Sequence, residues 1–179
     1  MKLKISATIL AATAFSLSFV AAAPADAAEK VRQGFVRCGA NNFLRANSTE
    51  VHTIAITLRN FDATQPITIS RLRILNSTGV VLFDSTASGL PPFDNGLLGP
   101  ATNVLSPNNS STVLMDSFVP YQAQVDRPLQ MFVNWSSANP ALPLGVGATR
   151  LVRERDLSTG AHLAERSRNS SGCQSILVP

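Results

Sequence analysis

The residue types able to do acid, base or nucleophilic chemistry are sparse in this chain. His52 and His162 are its only imidazoles, far apart in sequence and each inside an alternating segment. A strand histidine of that kind is expected to be a satisfied or surface residue. Serines are plentiful, but no Gly-x-Ser-x-Gly elbow exposes one as a nucleophile and no His-Glu-x-x-His helix offers a metal. The carboxylates of Asp84, Asp94, Asp116 and Asp126 are scattered; a pair meeting in the fold would make an acid and base for hydrolysis, which spacing alone does not show. Asp94-Asn95-Gly96 has the oxygen ligands and flexible glycine of a fragment of a calcium loop, and the same tripeptide is commonly a plain turn. Two cysteines and two histidines are too few for a zinc site, and no phosphate-cradling glycine motif is present. No metal, no cofactor and no catalytic residue is therefore expected.

The arginines are less evenly spread. Arg150, Arg153, Arg155, Arg166 and Arg168 gather near the end of the chain among Glu154, Asp156 and Glu165. Guanidinium forks suit bidentate contact with carboxylate or phosphate, so a patch for an anionic surface polymer or an acidic partner is one reading. The favoured one is cross-strand ion pairing on a solvated face, for example of Arg153 or Arg166 with neighbours of Glu165. Few aromatics interleave with these arginines, which disfavours nucleic acid. Trp135 follows Leu129, Met131 and Val133 at a spacing of two, which makes it core first and a sugar-stacking platform second. Tyr121 is the other aromatic weighed for sugar.

These side chains need a scaffold, and the first residues say where it is built. Lys2 and Lys4 precede an apolar run from Ile5 to Val20 and then the small residues Ala21 to Ala28, the three parts of a secretory signal peptide. Cleavage is expected after Ala25-Asp26-Ala27, giving a leader over 1–27 and a mature domain over 28–179. The leader takes Lys2 and Lys4 with it, so Lys30 is the only lysine left and the basicity rests on arginine. No other segment approaches the length of a membrane span. In an oxidising compartment Cys38 and Cys173 are expected to form one disulfide tying the ends of the domain together, for which the chain-entropy model gives about 5 kcal/mol as an upper figure.

Of the 179 residues, 45% are hydrophobic and 15% charged, with a net charge of +4, a balance that excludes disorder and fits one globular domain. In Val51–Leu58, Ile54, Ile56 and Leu58 alternate with Thr53 and Thr57, the period of a half-buried strand. Ile67 to Leu75 is a second strand, with Arg71 and Arg73 pointing away from Leu72 and Ile74. Asn76-Ser77-Thr78-Gly79 turns the chain into a third strand from Val80 to Phe83. Thr112–Val119, Leu129–Trp135, Val146–Glu154 and Ala161–Arg168 read as further strands, the last two joined by a turn at Asp156–Gly160. The proline-rich stretch from Ser88 to Ser111 lacks periodicity, with a short strand expected near Val104. No capped helix appears. These elements predict an all-β chain, a single antiparallel sandwich of about seven strands.

The run Leu58-Arg59-Asn60-Phe61-Asp62, with Pro66-Ile67-Thr68-Ile69, Leu72-Arg73-Ile74 and Gly79-Val80-Val81, resembles a family of small, uncharacterised, secreted bacterial domains with an immunoglobulin-like sandwich. It is also faintly similar to the sandwich of sensory-rhodopsin transducer proteins. The family pattern continues with a shorter linker than Ser88 to Ser111. The resemblance implies a fold and no reaction. Together these features predict a periplasmic or secreted, non-enzymatic binding or interaction module, whose partner is an envelope protein or surface polymer. A carbohydrate-binding domain using Trp135 or Tyr121, and a hydrolase with an unrecognised acidic pair, are the alternatives. The expected contact surface is the loop from Leu90 to Leu105, led by Phe93, Leu97 and Leu98, with the edge of the last hairpin.

Overall fold

A computed structural model describes residues 32–94, 103–139, 144–156, 158–168 and 172–178. The leader expected over 1–27 lies outside the described residues. The strands are β1 (Arg32–Gly39), β2 (Phe43–Leu44), β3 (Glu50–Arg59), β4 (Ile67–Asn76), β5 (Val81–Asp84) and β6 (Val104–Leu105). They continue with β7 (Ser110–Leu114), β8 (Pro128–Ser137), β9 (Gly145–Arg155), β10 (His162–Arg168) and β11 (Gln174–Val178), and a single helical turn, α1 (Ser85–Ser88), follows β5. One sheet runs β11-β1-β8-β4-β5, with β6 beside the start of β4; the other runs β10-β9-β3-β2, with β7 also on β3. All pairings between these strands are antiparallel. Inward residues of both sheets, among them Val36, Ile56, Leu72, Ile74, Met131, Val133, Trp135 and Ala148, belong to one hydrophobic cluster. Among the described residues no helix is long and apolar enough to cross a membrane.

Alternation explains most of these strands, and one departure from it matters. In β4 both Ile67 and Ile69 are buried, and so are Leu72 and Ile74, although the two pairs are out of phase. A bulge between Ile69 and Arg71 inserts Ser70 without a partner on β8. The extra residue resets the phase so that Ile67, Ile69, Leu72 and Ile74 all reach the core. Arg71 and Arg73 consequently share the outer face. The hairpin to β5 closes as its residue types demand: the Asn76 side-chain oxygen accepts from the amides of Thr78 at 3.0 Å and Val80 at 2.8 Å, and Gly79 takes a φ of 85°.

Strand β7 is shorter than the expected Thr112–Val119. The chain leaves β3 after Leu114 and winds into a 3-10 turn at Met115–Ser117, with both Met115 and Val119 buried in the core. This segment also explains why β3 is buried on both sides at its start, with Val51 and Thr53 fully inaccessible. Leu129, placed by its spacing with the core residues of β8, is instead exposed at the strand's mouth. The bond between Cys38 and Cys173 is formed, joining β1 to the residue before β11. The pairing of Arg37 with Gln174 lies immediately beside it.

The Asn60-Phe61-Asp62 turn is held by side chains. Asn60 donates to the carbonyls of Gln65 at 2.9 Å and Leu105 at 3.1 Å. The Asp62 carboxylate accepts from the amides of Thr64 at 2.8 Å and Gln65 at 3.0 Å and from the Asn139 amide at 2.5 Å. Those amide donors, Thr64 first, hold its carboxyl at about 2, below the ordinary 3.8. A carboxyl depressed in the folded state stabilises above its unfolded value and loses that contribution as pH falls through its folded value. Stability should therefore drop between pH 3.8 and about 2, and Asp62→Asn should flatten the drop in thermal unfolding followed against pH. Parallel curves for the two proteins would contradict this role.

Candidate functional site

Strand register divides the five clustered arginines. Arg150 lies opposite Ile54 on β3, and Arg166 and Arg168 lie opposite Val152 and Arg150, so these three positions share the side of the sheet that carries Ile54. Arg153 and Arg155 fall on the other side, because successive strand residues alternate. The Arg153 guanidinium is paired with Asp116 at 3.0 Å and, across the hairpin, with Glu165 itself at 2.6 Å. Arg155 covers the Tyr121 ring, 5.4 Å from its centroid, and donates to the Gly160 carbonyl. Arg166 lines a cavity of about 280 Å³ with Glu50 and Glu154, two carboxylates directly opposite one another. Arg153 and Arg155 therefore do not share one surface with Arg150 and Arg166.

His52 is held on every side. An Arg150 guanidinium nitrogen lies 2.5 Å from Nδ1 and donates to it, so Nε2 carries the proton and donates to Glu50 at 2.6 Å. The Phe43 ring stacks on the imidazole at 4.6 Å. Burial, then the Arg150 charge, lower its pKa against the opposing pull of Glu50, which keeps the ring neutral. His162 is exposed on β10. The acids go separate ways. Asp84 pairs with Arg71, Asp94 accepts from Ser111 and from the Thr112 amide, and Asp116 takes Arg153 and the Tyr121 hydroxyl at 3.0 Å. Burial, with the Asp116 charge behind it, raises Tyr121 to about 12.

Trp135 is 2% exposed, which removes it as a sugar platform. Phe93 is a correction of the same kind. It is 4% exposed and sits with Leu90 in the core cluster, where it anchors its loop and presents no ring to a partner. Leu97, Leu98, Asn95 and Gly96 lie outside the described residues.

A row of exposed and half-exposed side chains that the sequence did not join stands on the outer face of the first sheet. Phe132 on β8 pairs with Arg37 on β1 to one side and with Arg73 on β4 to the other. Directly paired residues project to the same side of a sheet. The Arg37 and Arg73 guanidinium carbons lie 5.8 and 5.4 Å from the Phe132 ring centroid, so the ring holds a cation from each neighbouring strand. Arg37 donates to the Gln130 amide oxygen at 3.3 Å. Arg73 Nε is buried and has no hydrogen-bond partner among the described residues. Neither guanidinium is paired with a carboxylate among the described residues, whereas Arg71 on the same face is matched by Asp84. That match holds the Asp84 carboxyl well below the usual range.

Half of this row is legible without coordinates. Arg73 faces away from Leu72 and Ile74, and Phe132 must oppose Met131 and Val133. Arg37 could not be added from the sequence, because the pairing of β1 with β8 is long-range: even Arg37 and Gln130, which share a hydrogen bond, are 93 positions apart. No family model, curated protein or solved structure matches this chain.

Proposed function

We propose that the protein is an exported, non-enzymatic binding module, an immunoglobulin-like sandwich that works outside the cytoplasm through the outer face of its first sheet. The observation that carries this reading is the row Arg37–Phe132–Arg73: two guanidiniums held on one ring and, among the described residues, paired with no carboxylate. Unmatched arginines with a fixed geometry suit an anionic partner. Export is supported by the leader pattern and by the Cys38–Cys173 bond, which persists in oxidising compartments. The absence of chemistry is supported by the occupied nitrogens of His52 and by the separate partners of Asp84, Asp94 and Asp116.

Co-sedimentation of the purified mature protein with isolated cell envelope tests this. The wild type should be retained, and retention should fall on the order of tenfold per arginine in Arg37→Glu/Arg73→Glu, the loss of one charge-assisted contact each. Arg59→Glu/Arg127→Glu carries the same charge change elsewhere and should bind as the wild type. Equal retention of all three proteins would end the assignment of this face.

A further inference from the structure

We infer that the ligand of this face is a linear acidic polysaccharide, with carboxylates meeting Arg37 and Arg73 and sugar rings lying along the sheet between and beyond them. The inference rests on the binding-module reading and names its ligand class. Arg37 and Arg73 reach the Phe132 ring from the two strands flanking β8, and neither has a carboxylate partner among the described residues, so the face offers two cations to one ligand. A ligand that repeats its anionic group along its length can meet both.

The groups around the guanidiniums are those a sugar chain uses. On the outer face of β1 and β11, Phe35 pairs with Ile176, giving an apolar strip for the C–H faces of pyranose rings; Ile176 is 41% exposed. Amides of Gln33, Asn134 and Gln174 share that face and offer donors and acceptors to hydroxyls. At one end the row opens into a shallow depression of about 380 Å³ lined by Arg37, Gln130 and Gln174 beside the disulfide, which suits a terminal sugar unit. Nucleic acid is the competing polyanion and fits less well. Its single strands need open aromatic faces for base stacking. Here Phe132 already holds two guanidiniums and Trp135 is buried, which leaves the half-buried Phe35 as the aromatic on this face.

Affinity electrophoresis through gels carrying polygalacturonate, hydroxyethyl cellulose or oligothymidylate, with calorimetric titration of whichever retards the protein, tests the inference. Polygalacturonate should retard the wild-type protein, more at low salt than at high, while the neutral cellulose ether should not. Arg37→Gln/Arg73→Gln should weaken that binding by ten-fold or more, with an unchanged circular dichroism spectrum. Phe132→Leu removes the ring while leaving the charge, and should weaken it several-fold by releasing the guanidiniums. Binding of the neutral polymer alone, oligothymidylate bound as tightly as polygalacturonate, or polygalacturonate binding unchanged by the arginine variants would each overturn the inference. If polygalacturonate is not bound while envelope retention still depends on Arg37 and Arg73, the ligand class falls and the binding face stands. If both fail, the binding-module reading falls with it.

Discussion

Reduction of the Cys38–Cys173 bond should lower the unfolding free energy by up to about 5 kcal/mol, the upper figure that loop-closure entropy gives for so long a loop. For a domain of this size that corresponds to a fall in Tm of roughly 10–20 °C. The two cysteines are separated by 135 positions, so the bond restricts almost the entire unfolded chain. Its local effect is sharper. Strand β11 pairs only with β1, and all five of its residues are exposed on an edge of the sheet. Little buried area holds it there apart from the bond. Hydrogen exchange in the reduced protein should therefore accelerate first across Gln174–Val178, before β3, β8 or β4 respond. Cys173→Ser should reproduce this pattern more cleanly than Cys38→Ser, because Cys38 is 3% exposed and a serine there would bury a hydroxyl. A Tm unchanged by reductant would show that the ladder, and not the bond, holds the chain ends.

The elements visible in the sequence were those whose neighbours are local or whose pattern is strict. Strand β8 and the second half of β3 alternate, β4 alternates on either side of its bulge, and the β4–β5 and β9–β10 hairpins carry their own turn residues. Strand β1 hides behind Gly34 and an outward Phe35, and β11 has no alternation because neither of its faces is buried. Their partnership depends on contact between chain ends, which no local pattern reports. The stretch from Ser88 to Ser111 looked like a recognition loop because its apolar residues lack a period; Leu90, Phe93 and Leu105 lack one because each enters the core from irregular backbone or a two-residue strand. The same logic governs the two sets of arginines. Five that are neighbours in sequence are divided by strand alternation, and two that are distant in sequence meet on one ring through the order β1-β8-β4.

Trp135→Ala should be among the most destabilising single substitutions in the chain, at about 3–5 kcal/mol, as expected for emptying a large buried aromatic site. The indole owes its place to a glycine on the adjacent strand. Gly34 pairs with Trp135, and a Cβ added there would lie 2.8 Å from the indole Cζ2 and 2.8 Å from the Ile176 carbonyl oxygen. Gly34→Ala should therefore cost about 1–3 kcal/mol, the range for overpacking a filled core. The two costs should not add. With the indole gone, the new methyl retains only its clash with the Ile176 carbonyl, so Gly34→Ala in the Trp135→Ala background should cost less by about 0.5 kcal/mol or more. Some cost must survive, since that carbonyl belongs to β11 and moves only if the edge strand shifts. Urea unfolding of the four proteins gives the cycle, and the emission of Trp135, the single tryptophan, reports the Gly34→Ala protein directly. A blue emission like that of the wild type together with purely additive energies would mean that the indole does not feel the methyl, and that β11 alone absorbs it.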